Sequence, residues 1–139
     1  MAVPRSPSAS RSALVSFADR GTVANARETL PRGTLMRARL TAELDPRRGG
    51  IVQAITTEHL LRDGSVLIPQ GSLLSCRAGS VLGDRIAVSC DGVSSSGRSW
   101  SFRAIGLGMD DRAGIRLVDG PVASGTPFVV CVTESAMLE

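Results

Sequence analysis

Pro31-Arg32-Gly33-Thr34-Leu35-Met36 and Pro69-Gln70-Gly71-Ser72-Leu73-Leu74 share one phrase, Pro-x-Gly-[Ser/Thr]-Leu-apolar, repeated at an offset of 38 residues. Proline fixes φ and has no N–H to give a ladder, while glycine supplies the positive φ of a tight turn. Each phrase therefore predicts a turn that delivers the chain into a strand. Two copies point to two related β units within one small domain.

The pattern outward from these phrases is β. In Thr34 to Ala42, Met36, Ala38, Leu40 and Ala42 share one parity and Arg37, Arg39 and Thr41 the other, the alternation of a half-buried strand. Gly50 to Thr57 follows, rich in β-branched residues and set off by the turn-forming Asp45-Pro46-Arg47-Arg48-Gly49-Gly50. Asp63-Gly64 marks another turn. Ser65 to Ile68, Ser72 to Arg77, Asp84 to Gly92, Arg98 to Gly106 and Pro127 to Thr133 complete the predicted strands. Short strands at this spacing define an all-β fold, a small modified β-barrel or a sandwich. Upstream, residues 1 to 12 are rich in Pro, Ser and Arg and are expected to form a disordered leader. A short helical turn within Ser12 to Glu28 is interrupted by Gly21. The expected organisation is a flexible basic arm over 1–28 and a β-barrel domain over 29–139.

A chain of 139 residues suits one domain with a real core. Aromatics are 3% of it and tyrosine is missing, so Val, Ile, Leu, Ala and Met must fill that core, and no platform for stacking bases is available. The formal charge of +3 conceals an asymmetry: the first 39 residues hold seven of the sixteen arginines against two acidic residues, and the remainder is mildly acidic. A basic arm suits phosphates, an anionic membrane surface or an acidic protein patch. Without aromatics or dense charge clusters it reads first as a soluble tail, and nucleic acid is not the expected partner. No apolar run approaches the roughly 20 residues of a membrane helix, and Ala13-Leu14-Val15 is no signal-peptide core. The chain as written is thus expected to start in the cytoplasm, unless it is a fragment of a longer protein or its start is misplaced.

Cys76 is in phase with Leu74 and Ala78, and Cys90 with Ile86 and Val88, so both should point inward. A hairpin centred on Gly83 would set them directly opposite each other. A cross-strand disulfide and two buried thiols both fit that placement; the disulfide would close a loop of about 15 residues, about 3 kcal/mol in the chain-entropy model. Cys131 is expected to be a core thiol. Three cysteines and one histidine at these separations match no zinc pattern. His59 reads as a surface histidine near a turn, and no Gly-x-Ser-x-Gly elbow accompanies it. Asp110-Asp111 has too few oxygens for a calcium loop; a turn held by Asp-to-backbone bonds, with Arg112 compensating charge, is the expectation. Neither a catalytic constellation nor a cofactor site is expected. Trp100 and Phe102 share a parity, which predicts core packing, with an exposed Trp100 as interface anchor the alternative. Arg37, Arg39, Arg77 and Arg103 take the outward parity and are candidate interface residues.

Taken in order, these segments resemble the C-terminal domain of the TrbI-like family of bacterial conjugation proteins, the core-complex scaffold of type IV secretion systems. The resemblance is carried by Leu30-Pro31-Arg32-Gly33-Thr34-Leu35, Gly49-Gly50-Ile51-Val52-Gln53-Ala54 with Thr57-Glu58, and Leu67-Ile68-Pro69-Gln70-Gly71-Ser72-Leu73-Leu74. Gly83-Asp84-Arg85-Ile86, Ser96-Gly97-Arg98, Gly106 to Gly114 and Gly125-Thr126-Pro127-Phe128-Val129-Val130 extend it. It implies a modified β-barrel that assembles into a homo-oligomeric ring in the layer facing the outer membrane, packed against a lipoprotein and another barrel-type subunit, in the periplasm. Family members carry an inner-membrane helix and a proline-rich stretch before this domain, and a long helical hairpin between the last strands. Here Ile115 to Ser124 stands in the hairpin's place, too short for a membrane-crossing pair of helices. A ring or docking role is therefore expected rather than a pore. The alternative is a monomeric, β-clip-like periplasmic chaperone or ligand-binding module.

Overall fold

The computed structural model describes residues 30–138, with side chains described as far as 134; the expected arm over 1–28 and the helical turn within it lie outside the described residues. Both Pro-x-Gly phrases are turns. Gly33 and Gly71 stand at φ +92° and +84°, conformations an L side chain resists. The hydroxyls of Thr34 and Ser72 each donate to the carbonyl of the proline three residues back, both at 2.6 Å. The Thr34 N–H also donates to Pro31 O at 3.1 Å, closing a type II turn. The same device recurs at Ala123-Ser124-Gly125-Thr126, where Gly125 lies at φ +91° and the Thr126 hydroxyl donates to Ala123 O at 2.7 Å. Each turn begins after a buried apolar residue, Leu30, Ile68 or Val122, and ends at a strand whose second residue, Met36, Leu74 or Phe128, is buried.

Nine strands are described: β1 Leu35–Leu40, β2 Gly50–Thr56, β3 Leu60–Arg62, β4 Ser65–Ile68, β5 Leu73–Leu82, β6 Arg85–Ser95, β7 Arg98–Leu107, β8 Ile115–Arg116 and β9 Pro127–Leu138. β3 and β8 were not foreseen; they have three and two residues, too few to show a period. The strand order is β5-β2-β1-β9-β7-β6, and β5 pairs β6 as well, so these six strands close into a barrel with β8 appended to β6. Closure decides between the two architectures the sequence left open, and it removes the exposed edges that a sandwich would keep. β3 and β4 form a separate two-stranded sheet joined through Asp63 and Gly64, both at positive φ, the signature of a type I′ hairpin.

The alternation in β1 is as the sequence predicts, with Met36, Ala38 and Leu40 buried and Leu35, Arg37 and Arg39 exposed. The barrel is filled by Met36, Leu40, Val52, Ile68, Leu74, Ile86, Val88, Trp100, Phe102, Phe128, Val130 and Val132. The small Ala38, Ala54, Ala104, Cys76 and Cys90 share the interior, the mixture of large and small that a narrow barrel requires. Complete burial of a side chain such as Phe128, Leu40 or Ile68 contributes about 1.5–3 kcal/mol.

Three expectations need correction. Trp100 is 2% exposed and belongs to the core, as the parity it shares with Phe102 predicts, so the alternative of an exposed interface anchor falls: it takes the inward parity of β7, and the Arg98 guanidinium covers its ring at 5.1 Å. Cys131 is half-buried and not a core thiol, because in β9 it takes the parity opposite to Phe128, Val130 and Val132, which face the interior. The β5–β6 hairpin is centred between Gly83 and Asp84, where Leu82 pairs Arg85, and not on Gly83. One extra residue between Ala78 and Val81 shifts the register back, so that Cys76 still faces Cys90. The two are joined as a disulfide with Cα atoms 4.0 Å apart.

Candidate functional site

A cleft with a volume of about 730 Å³ lies on the barrel wall and crosses β2, β5, β6 and β7. Register builds it. Ile51 pairs Arg77, Arg77 pairs Ser89, and Ser89 pairs Ile105, so four outward side chains form one row across four strands. In the next row Gln53 pairs Ser75, and Asp91 and Arg103 continue the line. Asp91 is the extra residue of a bulge: Cys76 pairs Cys90 while Ser75 pairs Gly92, leaving Asp91 between them. Such a bulge turns a side chain away from the regular pleat. The short outward residues Ser75 and Ser89 make the bottom of the cleft, and the longer Ile51, Leu73, Arg77, Arg103 and Ile105 stand around it. A smaller hollow of about 270 Å³ shares Leu73, Ser75 and Asp91 with it.

Its apolar exposure is unusual for a sheet surface. Ile51 is 76% exposed and Leu73 63%, and clustered exposed apolar side chains mark interaction surfaces more often than isolated ones do. The cleft also gathers two of the candidate interface arginines. Arg103 pairs with Glu134 at 3.6 Å, both well exposed, while Arg77 has no ion-pair partner among the described residues. Arg37 and Arg39 lie elsewhere, on β1; Arg37 pairs with Glu58 at 3.7 Å, and Arg39 is exposed. Cys76 and Cys90 line the cleft from beneath, so the disulfide ties its two central strands together.

A second cluster organises the loop over 108–114. The Arg85 guanidinium donates through Nη1 and Nη2 to the two carboxylate oxygens of Asp110, both at 3.0 Å. It also donates to the carbonyls of Ala113, Arg112 and Gly114 at 2.8, 3.0 and 2.8 Å. The Asp-to-backbone bond foreseen for this turn is present, from the Arg112 N–H to Asp110 Oδ1 at 3.1 Å. The compensating cation is Arg85, 25 residues upstream, and not Arg112. Hydrogen bonding from Arg85 is the main cause that holds the Asp110 carboxyl below its ordinary range, with the Arg112 N–H adding to it. All three guanidinium nitrogens of Arg85 thereby donate within the protein, which makes this cluster a loop clamp.

His59 is exposed, beside the turn at 69–72, as the sequence suggests. Its Nδ1 accepts from the Gln70 N–H at 3.0 Å. Thr56, 2% exposed, holds the same turn from the other side, donating to Pro69 O and accepting from the Ser72 N–H, both at 3.0 Å. Neither contact could be read from local pattern, because each joins residues 11 to 16 positions apart. The apolar rim of the cleft was missed too. The signal was there in Ile51-Val52, apolar on both parities of β2, and in Leu73, a leucine on the solvent parity of β5.

No family model matches the chain, and no curated protein matches it significantly.

Proposed function

We propose that the chain is a structural docking barrel, a subunit or accessory of an envelope-spanning type IV secretion or conjugation complex. The observation that carries docking is the wall cleft, where exposed Ile51, Leu73 and Ile105 surround serines and ionic groups. Exposed apolar side chains gathered at one cleft mark an interaction surface. The envelope assignment rests on the resemblance of residues 30 to 138 to the TrbI-like barrel. The Cys76–Cys90 disulfide supports an oxidising compartment such as the periplasm. The partners on this reading are a lipoprotein, a second barrel-type subunit and further copies of the chain.

The test is a crosslinked pull-down of the tagged protein from its native host's envelope fraction, with mass-spectrometric identification. Recovery of secretion-channel lipoprotein and ATPase subunits supports the scaffold reading, and recovery of the protein alone refutes it. A second reading, a monomeric ligand-binding module, is favoured by the cleft volume of about 730 Å³, which falls among small-molecule sites. A monomeric mass by light scattering together with saturable binding of a small ligand would select it.

A further inference from the structure

We infer that the wall cleft receives an extended protein segment whose side chains run apolar, x, acidic, x, apolar; this rests on the docking reading above. Ile51, Arg77, Ser89 and Ile105 are successive cross-strand partners. Neighbouring strands are about 4.8 Å apart, so Ile51 and Ile105 are separated by about 14 Å along the wall. An extended chain rises about 3.3 Å per residue, and its residues i, i+2 and i+4 share one face over about 13 Å. A segment laid across the strands therefore places its outer two contacts on Ile51 and Ile105. Its middle contact falls between Arg77 and Ser89.

That middle position selects a carboxylate. Arg77 is exposed and has no ion-pair partner among the described residues, and Ser89 adds a hydroxyl donor on the other side. Asp91 stands in the neighbouring row, so a second carboxylate displaced toward it is repelled. The wall's backbone groups are engaged in the closed ladder, which excludes addition of a strand at an edge and leaves recognition to side chains. A five-residue contact of this kind is weak alone and gains strength from repetition in an assembly.

The experiment is a backbone-amide NMR titration of the full chain with two capped peptides, Ser-Leu-Thr-Glu-Thr-Leu-Ser and its Glu-to-Lys counterpart, into the millimolar range. The expected result is a set of shifts confined to residues around Ile51, Arg77, Ser89 and Ile105. The lysine peptide binds about fivefold more weakly, the scale of one exposed charge pair. Arg77→Glu inverts the preference, and Ile51→Ser weakens both peptides; each residue is exposed, so both variants fold, as their own amide spectra will show. Absence of localised shifts, or equal shifts with both peptides, overturns the inference. If the envelope pull-down recovers partners while the titration fails, the docking reading stands and the cleft is not its site. If the glutamate peptide binds and the pull-down returns the chain alone, the recognition stands and the envelope scaffold falls.

Discussion

Reduction of the Cys76–Cys90 bond should lower the thermal midpoint by about 12 °C. The bond joins residues 14 apart in sequence, and closing a loop of that length removes about 3 kcal/mol of chain entropy from the unfolded state. For a domain of about 110 residues, the span of the described chain, each kcal/mol moves the midpoint by about 4 °C. The folded barrel should survive, because β5 and β6 remain paired above and below the cysteines. Both sulfurs are buried, with Cys76 6% and Cys90 2% exposed, so the native protein should react with a water-soluble phosphine far more slowly than the denatured chain. Thiol titration in denaturant supplies the control. Of the three cysteines only Cys131 is free, so one thiol per chain should titrate before reduction and three after it. Three thiols in protein prepared without reductant would show that the bond does not form. One thiol followed by a midpoint shift of less than about 3 °C would refute the entropic reasoning, since the hairpin would then hold the cysteines together in the unfolded chain as well.

Thr56→Val should destabilise by about 1–3 kcal/mol, because it removes the acceptor of the buried Ser72 N–H; urea midpoints for this variant and for Thr56→Ser, which keeps the hydroxyl, separate the hydrogen bond from the packing. Gly114→Ala should cost about 2–4 kcal/mol, from a positive φ of 84° and a Cβ placed 2.7 Å from Ile86 O; a cost below 1 kcal/mol would mean that the loop relaxes away from β6. Asp110 has a folded-state pKa below its ordinary value, so its stabilisation is complete above about pH 4 and is lost as pH falls through the lower folded value. Melts of wild type and Asp110→Asn should therefore differ at pH 7 and converge in acid, and a constant gap across that range would contradict the pairing with Arg85. Gly71→Ala meets no atom within 4 Å and should cost about 1–2 kcal/mol from backbone strain alone, whereas Pro69→Ala should cost less than about 1 kcal/mol; chemical denaturation of both would expose a reversed order.

What could be read in advance was whatever depends on neighbours along the chain. The β1 alternation of Met36, Ala38 and Leu40 against Arg37 and Arg39 needs only the two-residue period of a strand, and the turn at Asp63-Gly64 needs only its own two residues. The facing of Cys76 and Cys90 was predicted from a hairpin centre misplaced by half a residue, and a bulge between Ala78 and Val81 cancelled that error. Arg85 and Asp110 could not be matched, because their contact depends on β6 and the loop over 108–114 meeting at one end of the barrel. The cleft was hidden for the same reason: Ile51, Arg77, Ser89 and Ile105 are separated in sequence and become a row only once three registers are fixed.

The repeated turn shows how a motif can be recognised and still be undercounted. Proline drew attention to Pro31 and Pro69, yet in each turn that residue's structural contribution is its carbonyl, which accepts the hydroxyl three positions on. Any residue has such a carbonyl, and at Ala123 an alanine supplies it. What the turn requires is glycine at the third position, at φ between +84° and +92° in all three copies, and Ser or Thr at the fourth. With proline dropped from the pattern, the strands that follow are β1, β5 and β9, and each begins with an exposed residue followed by a buried one. Two of them, β1 and β9, pair with each other, and β2 links β1 to β5. One local device thus starts three of the six barrel strands in the same inward phase. Leu73, the exposed first residue of β5, belongs to the cleft, so the turn that sets the core's phase also sets an apolar side chain on the docking wall.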